Sequence, residues 1–358
     1  MFDFLIIGGG IAGISAAARL SSVGSVQLCE TEDALGYHAS GRSAALFEET
    51  YGKPSTIELN KASYSYHKDE NGGVLSPRGL MLIGRKDEKE AFETDCGVMA
   101  MHPISIIEAC SKIPVLNTDT VAYAAYHEDA QDIDTDLLLQ NFARTARRNG
   151  AQIATKAGVT SIDHLKPGWR VTTHAGAFEA KLIVNAAGAW VDDIATMAGV
   201  RPLGLSPLKR SMARIPAPGG HDTRSWPMLF GTGESWYAKP DAGKLLVSPA
   251  DEELVTPHDA WADDMVLAEG LAKYEEMVTE PVTRLESSWA GLRTFAPDRC
   301  LVIGHDTQVS DFFWLAGQGG YGMQTSPAAS QLAADLIAGR VPEIDKCAIS
   351  ALSPARFD

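Results

Sequence analysis

A chain of 358 residues with 45% apolar and 22% charged residues can build two cores and has the make-up of an ordinary globular protein, which excludes disordered and fibrous classes. Its 31 basic against 46 acidic residues leave a net charge of −15, a surface that repels nucleic acid and anionic membranes. Cys29, Cys96, Cys110, Cys300 and Cys347 form no CxxC pair, the start MFDFLIIGGG has no basic export segment, and no apolar run reaches about 18 residues. A cytoplasmic protein with no metal site and no transmembrane segment is therefore expected.

Residues 4–7 form a short apolar run bounded by glycines, the pattern of a buried parallel strand. Gly8, Gly10 and Gly13 then spell G-x-G-x-x-G around Ile11 and Ala12, and a small-residue helix follows. In such a loop the first glycine allows the tight turn, the second leaves room for a pyrophosphate, and the third lets helix and strand approach. The helix N-terminus offers amide donors to the phosphates. Glu30, ending the next strand 22 residues beyond Gly8, can accept hydrogen bonds from a ribose. The fingerprint fits FAD and NAD alike.

The loop 33–47 (DALGYHASGRSAALF) is rich in small residues, leaving backbone amides open to a ligand and room for the Arg42 guanidinium. From 51 to 131 the pattern changes: strands at 79–84 and 120–127, a helix near 86–98, and a turn followed by a helix at HPISIIEAC. DIDTDLLLQNFARTARRNG returns to an amphipathic helix, capped by Asp134 or Thr135, with Leu138, Phe142 and Ala146 on one face and Gly150 as stop. A hairpin then leads into a strand at 181–185 and a glycine loop.

Residues 205–290 read as antiparallel strands around a Pro-Asp-Ala-Gly turn, with a charged helix over 259–277. The chain closes with a strand at 300–304, a glycine loop holding Gly317, Gly319, Gly320 and Gly322, and a helix ending at Gly339. That helix N-terminus suits the negative charge that a flavin ring gains on taking a hydride, which favours FAD over NAD. The fold class expected is α/β and α+β: a Rossmann-type FAD-binding domain (1–50, 132–204, 291–358) with an inserted mixed or antiparallel-sheet substrate domain (51–131, 205–290).

The segments GYHASGRSAA, DIDTDLL, NAAGAW, GVRPLGLSP, YAKPDAG, WAGLRTF and QGGYGMQTS, spread in order over nearly the whole chain, resemble the D-amino-acid oxidase and glycine oxidase superfamily of FAD-dependent amine oxidoreductases. Within it the pattern is most similar to bacterial FAD-dependent D-arginine dehydrogenases. The resemblance implies FAD and oxidation of a D-amino acid to an imino acid, which water converts to a 2-oxo acid and ammonia; the flavin is expected to be noncovalent because Cys300 lies inside the CLVIG strand rather than on a cofactor loop. It implies cofactor contacts from Gly8, Gly10, Ile11, Ala12, Gly13 and Glu30; from Arg42, Ser43, Ala44 and Ala45; from Val159, Ala187 and Gly188; and from Gly319, Gly320, Gly322, Met323, Gln324 and Thr325. It also implies that Arg293 and Tyr237 hold the substrate carboxylate, with Tyr51, Arg210, Gly320 and Tyr321 around the pocket. The alternative for Arg293 is an internal salt bridge, for instance to Asp298 or Glu286.

The chain departs from the arginine-selective pattern at Leu80, where that pattern has a glutamate, at Leu46, where it has a histidine, and at Glu48, where it has a threonine. A leucine where a guanidinium would end removes the acceptor such a group needs, so a neutral or apolar side chain is expected. Glu48 is the counter-signal, since it could supply a carboxylate from another wall. D-Arg or D-Lys, and secondary amines such as proline or an N-methyl amino acid, stay open as substrates. A quinone-type acceptor and O2 stay open as oxidants, and a non-catalytic flavin-binding subunit stays open as another class. His38 and His305 read as surface or flavin-adjacent residues rather than as a base.

Overall fold

In the computed structural model, which describes residues 1–358, the first apolar run is the strand Phe2–Ile7 and the segment after the glycines is the helix Ile11–Leu20. The strand lies parallel between Val26–Cys29 and Gly176–Asn185. Gln152–Ala154 and Phe312–Ala316 extend the parallel core to either side, within an eight-stranded sheet. Alternation sends Ile6 into the core beneath the helices Ile11–Leu20, Thr135–Arg148 and Gly322–Ile337, and Leu5 and Ile7 into a second core beneath Val191–Met197. Asp134 caps its helix by accepting from the Leu137 amide.

A nine-stranded sheet forms the other body. The strand Ser206–Ile215 runs antiparallel to both Lys244–Ser248 and Ser287–Phe295. Tyr237–Asp241, Met228–Gly231, Leu80–Gly84 and Tyr123–His127 follow in order across the sheet. The boundary expected at 291 falls inside Ser287–Phe295, so Arg293 belongs to this sheet. Along these strands Met81, Ile83, Leu229, Ala238 and Val247 face one core, and Leu80, Leu82, Phe230, Tyr237 and Met212 face the other. The second face carries the site.

Two local readings are corrected. The helix expected over 259–277 is Asp264–Glu276, because Asp263 accepts from the amides of Met265 and Val266 and caps it there. The turn expected at the start of HPISIIEAC is a short strand, His102–Ile104, paired to Tyr123–His127 at the sheet edge. No helix is long and apolar enough to cross a membrane.

Candidate active site

Three cavities of about 520, 140 and 130 Å³ run one into the next between the two sheets. The first and second share Gly10, Ser40, Arg42 and Gly188; the second and third share Ser43, Ala44, Arg210, Tyr237, Arg293 and Gly320.

The glycine fingerprint opens the first cavity. Gly8 has φ +105°, and a Cβ there would lie 2.4 Å from the Ala186 carbonyl oxygen; a Cβ at Gly13 would lie 1.9 Å from the Gly8 carbonyl oxygen. Only glycine permits this strand-to-helix approach. Ile11 N donates to Ser40 Oγ, while the amides of Gly10 and Ala12 carry no hydrogen bond within the chain. Glu30 is fixed at the far end: its Oε2 accepts from Gly9 N (2.6 Å) and its Oε1 from Glu32 N (2.8 Å). Val159, Ala187 and Gly188 complete this cavity. A long concave cleft with free amides at a helix start and a held carboxylate fits a dinucleotide.

Arg42 lines the first two cavities but turns its guanidinium into the protein. Its Nη1 donates to Ala260 O (2.9 Å) and Ala290 O (2.8 Å), and its Nη2 pairs with Asp259. Arg42 thus ties the extended segment just before the Asp264–Glu276 helix to the loop beside the cleft. Asp259 is held below the ordinary carboxylate range by the Arg42 hydrogen bond.

Ile11, Ala12, Ser43, Ala44, Gly319, Gly320, Gly322 and Met323 line the middle cavity, where the helix Gly322–Ile337 begins. The amides of Gly320, Gly322 and Met323 have no partner in the chain. No cysteine or histidine lines this cavity, so nothing there offers a thiolate or imidazole for a covalent flavin bond. Gly13 and Thr325 stand behind it: Thr325 is fully buried and donates its hydroxyl to Tyr321 O.

Arg293 reaches the third cavity without a protein partner. Asp298 is engaged by Arg356 and Glu286 by Lys244 and Arg284, so neither acidic candidate holds it. Its guanidinium rests on Gly320, where a Cβ would come within 3.2 Å of Nη1. Arg210 pairs with Glu252 at 3.1 Å, a carboxylate that Arg299 also contacts at 2.8 Å. Burial, and next the charge of Arg293, lower the pKa of Arg210. Tyr237 lines the same cavity. An unpaired guanidinium beside a tyrosine and a glycine floor can take a carboxylate through a bidentate fork.

Tyr51 donates its hydroxyl to both oxygens of Glu234 (3.0 and 3.1 Å). Burial, then the Glu234 charge, raise its pKa well above the ordinary phenol value. Tyr321 stands behind Tyr51, with ring centroids 5.3 Å apart, and lines none of the three cavities. Its pKa is likewise raised, first by burial and then by Glu234.

The far wall of the third cavity is apolar at Leu46, Leu80, Met99, Met228 and Phe230 and polar at Glu48 and Gln324. Ala45 is also there, its carbonyl accepting from the buried Lys239 ammonium at 2.6 Å. Gln324, expected at the cofactor, lines only this substrate-side cavity. Pro327 explains how its backbone is held. The proline interrupts the helix ladder, and Ser63 and His67, one turn apart on Pro54–Asp69, fill the gap. Ala328 N donates to Ser63 Oγ (3.1 Å), and His67 Nε2, 2.8 Å from Gln324 O, donates to it. Burial lowers the His67 pKa to about 4.

Glu234, His127, Lys239, Met99 and Met228 were not singled out by sequence. Glu234 meets Tyr51 from 183 residues away, at a positive-φ position in a Gly-rich turn, and no local pattern signals that meeting. His38 lies beside the first cavity against Glu32 (2.9 Å) and Trp190, whereas His305 binds Ser310 O outside the cleft.

The family model described as "FAD dependent oxidoreductase" (DAO) matches residues 3–336. Human mitochondrial dimethylglycine dehydrogenase is 28% identical over 403 residues, covering 99% of this chain and 44% of that protein. Glycine oxidase of Bacillus licheniformis is 26% identical over 356 residues, covering 94% and 93%. The crystal structure of glycine oxidase from Geobacillus kaustophilus superposes with a TM-score of 0.86 at 21% identity, covering 99% of this chain and 98% of that one.

Proposed function

The chain belongs to the FAD dependent oxidoreductase family, and from this premise we propose that it oxidises a D-amino acid to the imino acid, which hydrolyses to a 2-oxo acid and ammonia. It is an enzyme of amino-acid oxidation with noncovalently bound FAD. The observation that carries the substrate reading is Arg293, unpaired in the third cavity and seated on Gly320.

FAD, when bound, supplies the acceptor for the hydride leaving the substrate α-carbon. Toward it the chain would offer the free amides of Gly10 and Ala12 for the pyrophosphate and Glu30 for the ribose. The Gly320, Gly322 and Met323 amides would stand at the ring's anionic edge. Arg293, with Tyr237, grips the substrate carboxylate and fixes its orientation, lowering the entropic part of the barrier. Arg210 adds positive potential at the same end. Tyr51, held by Glu234 and backed by Tyr321, closes the cavity. No side-chain base is assigned: the substrate enters with its amine neutral, and the imino product leaves as the cation that water attacks.

Leu46 and Leu80 on the far wall support a neutral side chain over D-Arg or D-Lys. The five cysteines are all free, which supports a reducing, cytoplasmic setting. Anaerobic addition of D- and L-amino acids to the yellow protein tests the reading: bleaching near 450 nm by D-enantiomers is expected, and bleaching by L-enantiomers alone would overturn the handedness. Peroxide formation in air against reduction of a quinone-like dye separates O2 from a quinone-type acceptor.

A second reading, an N-methylated or cyclic secondary amino acid, is supported by the likeness to dimethylglycine dehydrogenase. Sarcosine, dimethylglycine and proline in the same assay decide between the two.

A further inference from the structure

Two contacting residues that line the substrate-side cavity each carry a buried polar atom without a hydrogen bond, one an acceptor and one a donor. Glu48 and Gln324 are each 4% exposed and both line the cavity. The Glu48 amide donates to Gln324 Oε1 at 3.1 Å, which orients the glutamine amide and leaves its Nε2 unpartnered. Thr50 occupies Glu48 Oε1 through its amide (3.1 Å) and hydroxyl (2.8 Å). Glu48 Oε2 has no hydrogen bond: His127 Nε2 lies 3.1 Å away, close enough for a charge contact but outside hydrogen-bonding geometry.

Buried polar groups in native proteins are nearly always satisfied, so a matched orphan pair in the wall of a binding cavity points to a ligand group. Resting on the amino-acid reading above, we propose that Glu48 and Gln324 select a substrate whose side chain ends in a neutral group that both donates and accepts, a carboxamide or a hydroxyl. An ammonium or guanidinium carries donors only; it would meet Glu48 but leave the Gln324 Nε2–H facing another donor. A thioether or alkyl end leaves both atoms unpaired. The apolar residues Leu46, Leu80, Met99 and Met228 then pack the methylene stem.

Sites built to hydrogen-bond a substrate group discriminate strongly against analogues lacking it. The test compares kcat/KM for D-Gln, D-Asn and D-Ser with D-Met, D-Leu and D-Lys in the FAD-loaded enzyme. A D-Gln to D-Met ratio of at least about 100 is expected. The ratio should fall at least about tenfold in Gln324→Met and in Glu48→Leu. A wild-type kcat/KM for D-Gln, D-Asn and D-Ser that in no case exceeds that for D-Met overturns the inference, needs no variant, and leaves the D-amino-acid reading standing. A high ratio unchanged in both flavin-loaded variants also overturns it. Bleaching by L-amino acids alone removes only the handedness, and the L-Gln to L-Met ratio then decides. Failure of every amino acid to bleach the flavin overturns both readings.

Discussion

Arg293 stands diagonally across from Arg210 on adjacent antiparallel strands, the register pairing Leu208 with Arg293 and Arg210 with Gly291. Side chains two apart share a face, so the two guanidiniums point to the same side of the sheet. Of the two, only Arg210 has a carboxylate partner, Glu252, which it shares with Arg299. Like charges on one face, with one left unpaired, give a strongly anion-seeking end to the cavity.

Arg293→Ala is therefore expected to keep its flavin and lose kcat/KM by about 30-fold to several thousand-fold, the range for removing one partner of a buried charged pair. Arg293→Lys should recover only part, because an ammonium cannot reproduce the fork. Flavin absorbance and steady-state kinetics read the two effects separately, and unchanged kcat/KM in Arg293→Ala would remove the assigned role.

Gly320→Ala tests the seat of that guanidinium. The added methyl would lie 3.2 Å from Nη1 and 3.3 Å from Cζ of Arg293, so the fork must move by a few tenths of an ångström. A rise in KM of about tenfold is expected, since small misplacements of a positioning group are costly. KM values at wild-type flavin content check this.

Asp259→Asn loosens the segment tied across the cleft by Arg42. Asp259 is more than half exposed, so the ion pair is worth no more than about 1 kcal/mol after screening. FAD release should quicken by roughly two- to fivefold, read as the return of free-flavin fluorescence after dilution. Raised salt should produce the same change in wild type and little in the variant.

His67 makes the helix beneath the middle cavity acid-sensitive. Its folded pKa of about 4 lies below the ordinary 6.5, so its contribution is fully present above pH 6.5 and is lost as pH falls toward 4. The amount is roughly 3 kcal/mol. The wild-type Tm should fall steeply over that window, whereas His67→Gln should be less stable at neutral pH and flatter with acid. Parallel slopes in the two proteins would contradict this.

Much of the cofactor side was legible because it is local. Gly8, Gly10 and Gly13 meet steric demands set within a few residues, and Glu30 follows at the end of the adjacent strand. The Gly317–Gly322 loop announced a second helix start in the same way. The segment around Asp259 was misread as helix because its charged pattern continues that of Asp264–Glu276, and only the Asp263 cap marks the break. Arg42 was expected to face the ligand; the carbonyls that claim it belong to residues 260 and 290, invisible from its own loop.

By itself the sequence determined the strand–glycine–helix start, the alternating strands that make two-sided sheets, and the presence of an arginine, tyrosines and a glycine floor able to hold an amino acid. The first two follow from short-range sterics and periodicity; the pocket residues were implied by the family resemblance. Which charges stay free was decided only in three dimensions. Arg293 is left open because Asp298 and Glu286 are taken by other partners, and Glu48 meets Gln324 across 276 residues. Pairing between distant side chains depends on sheet register and domain packing, which no local pattern encodes.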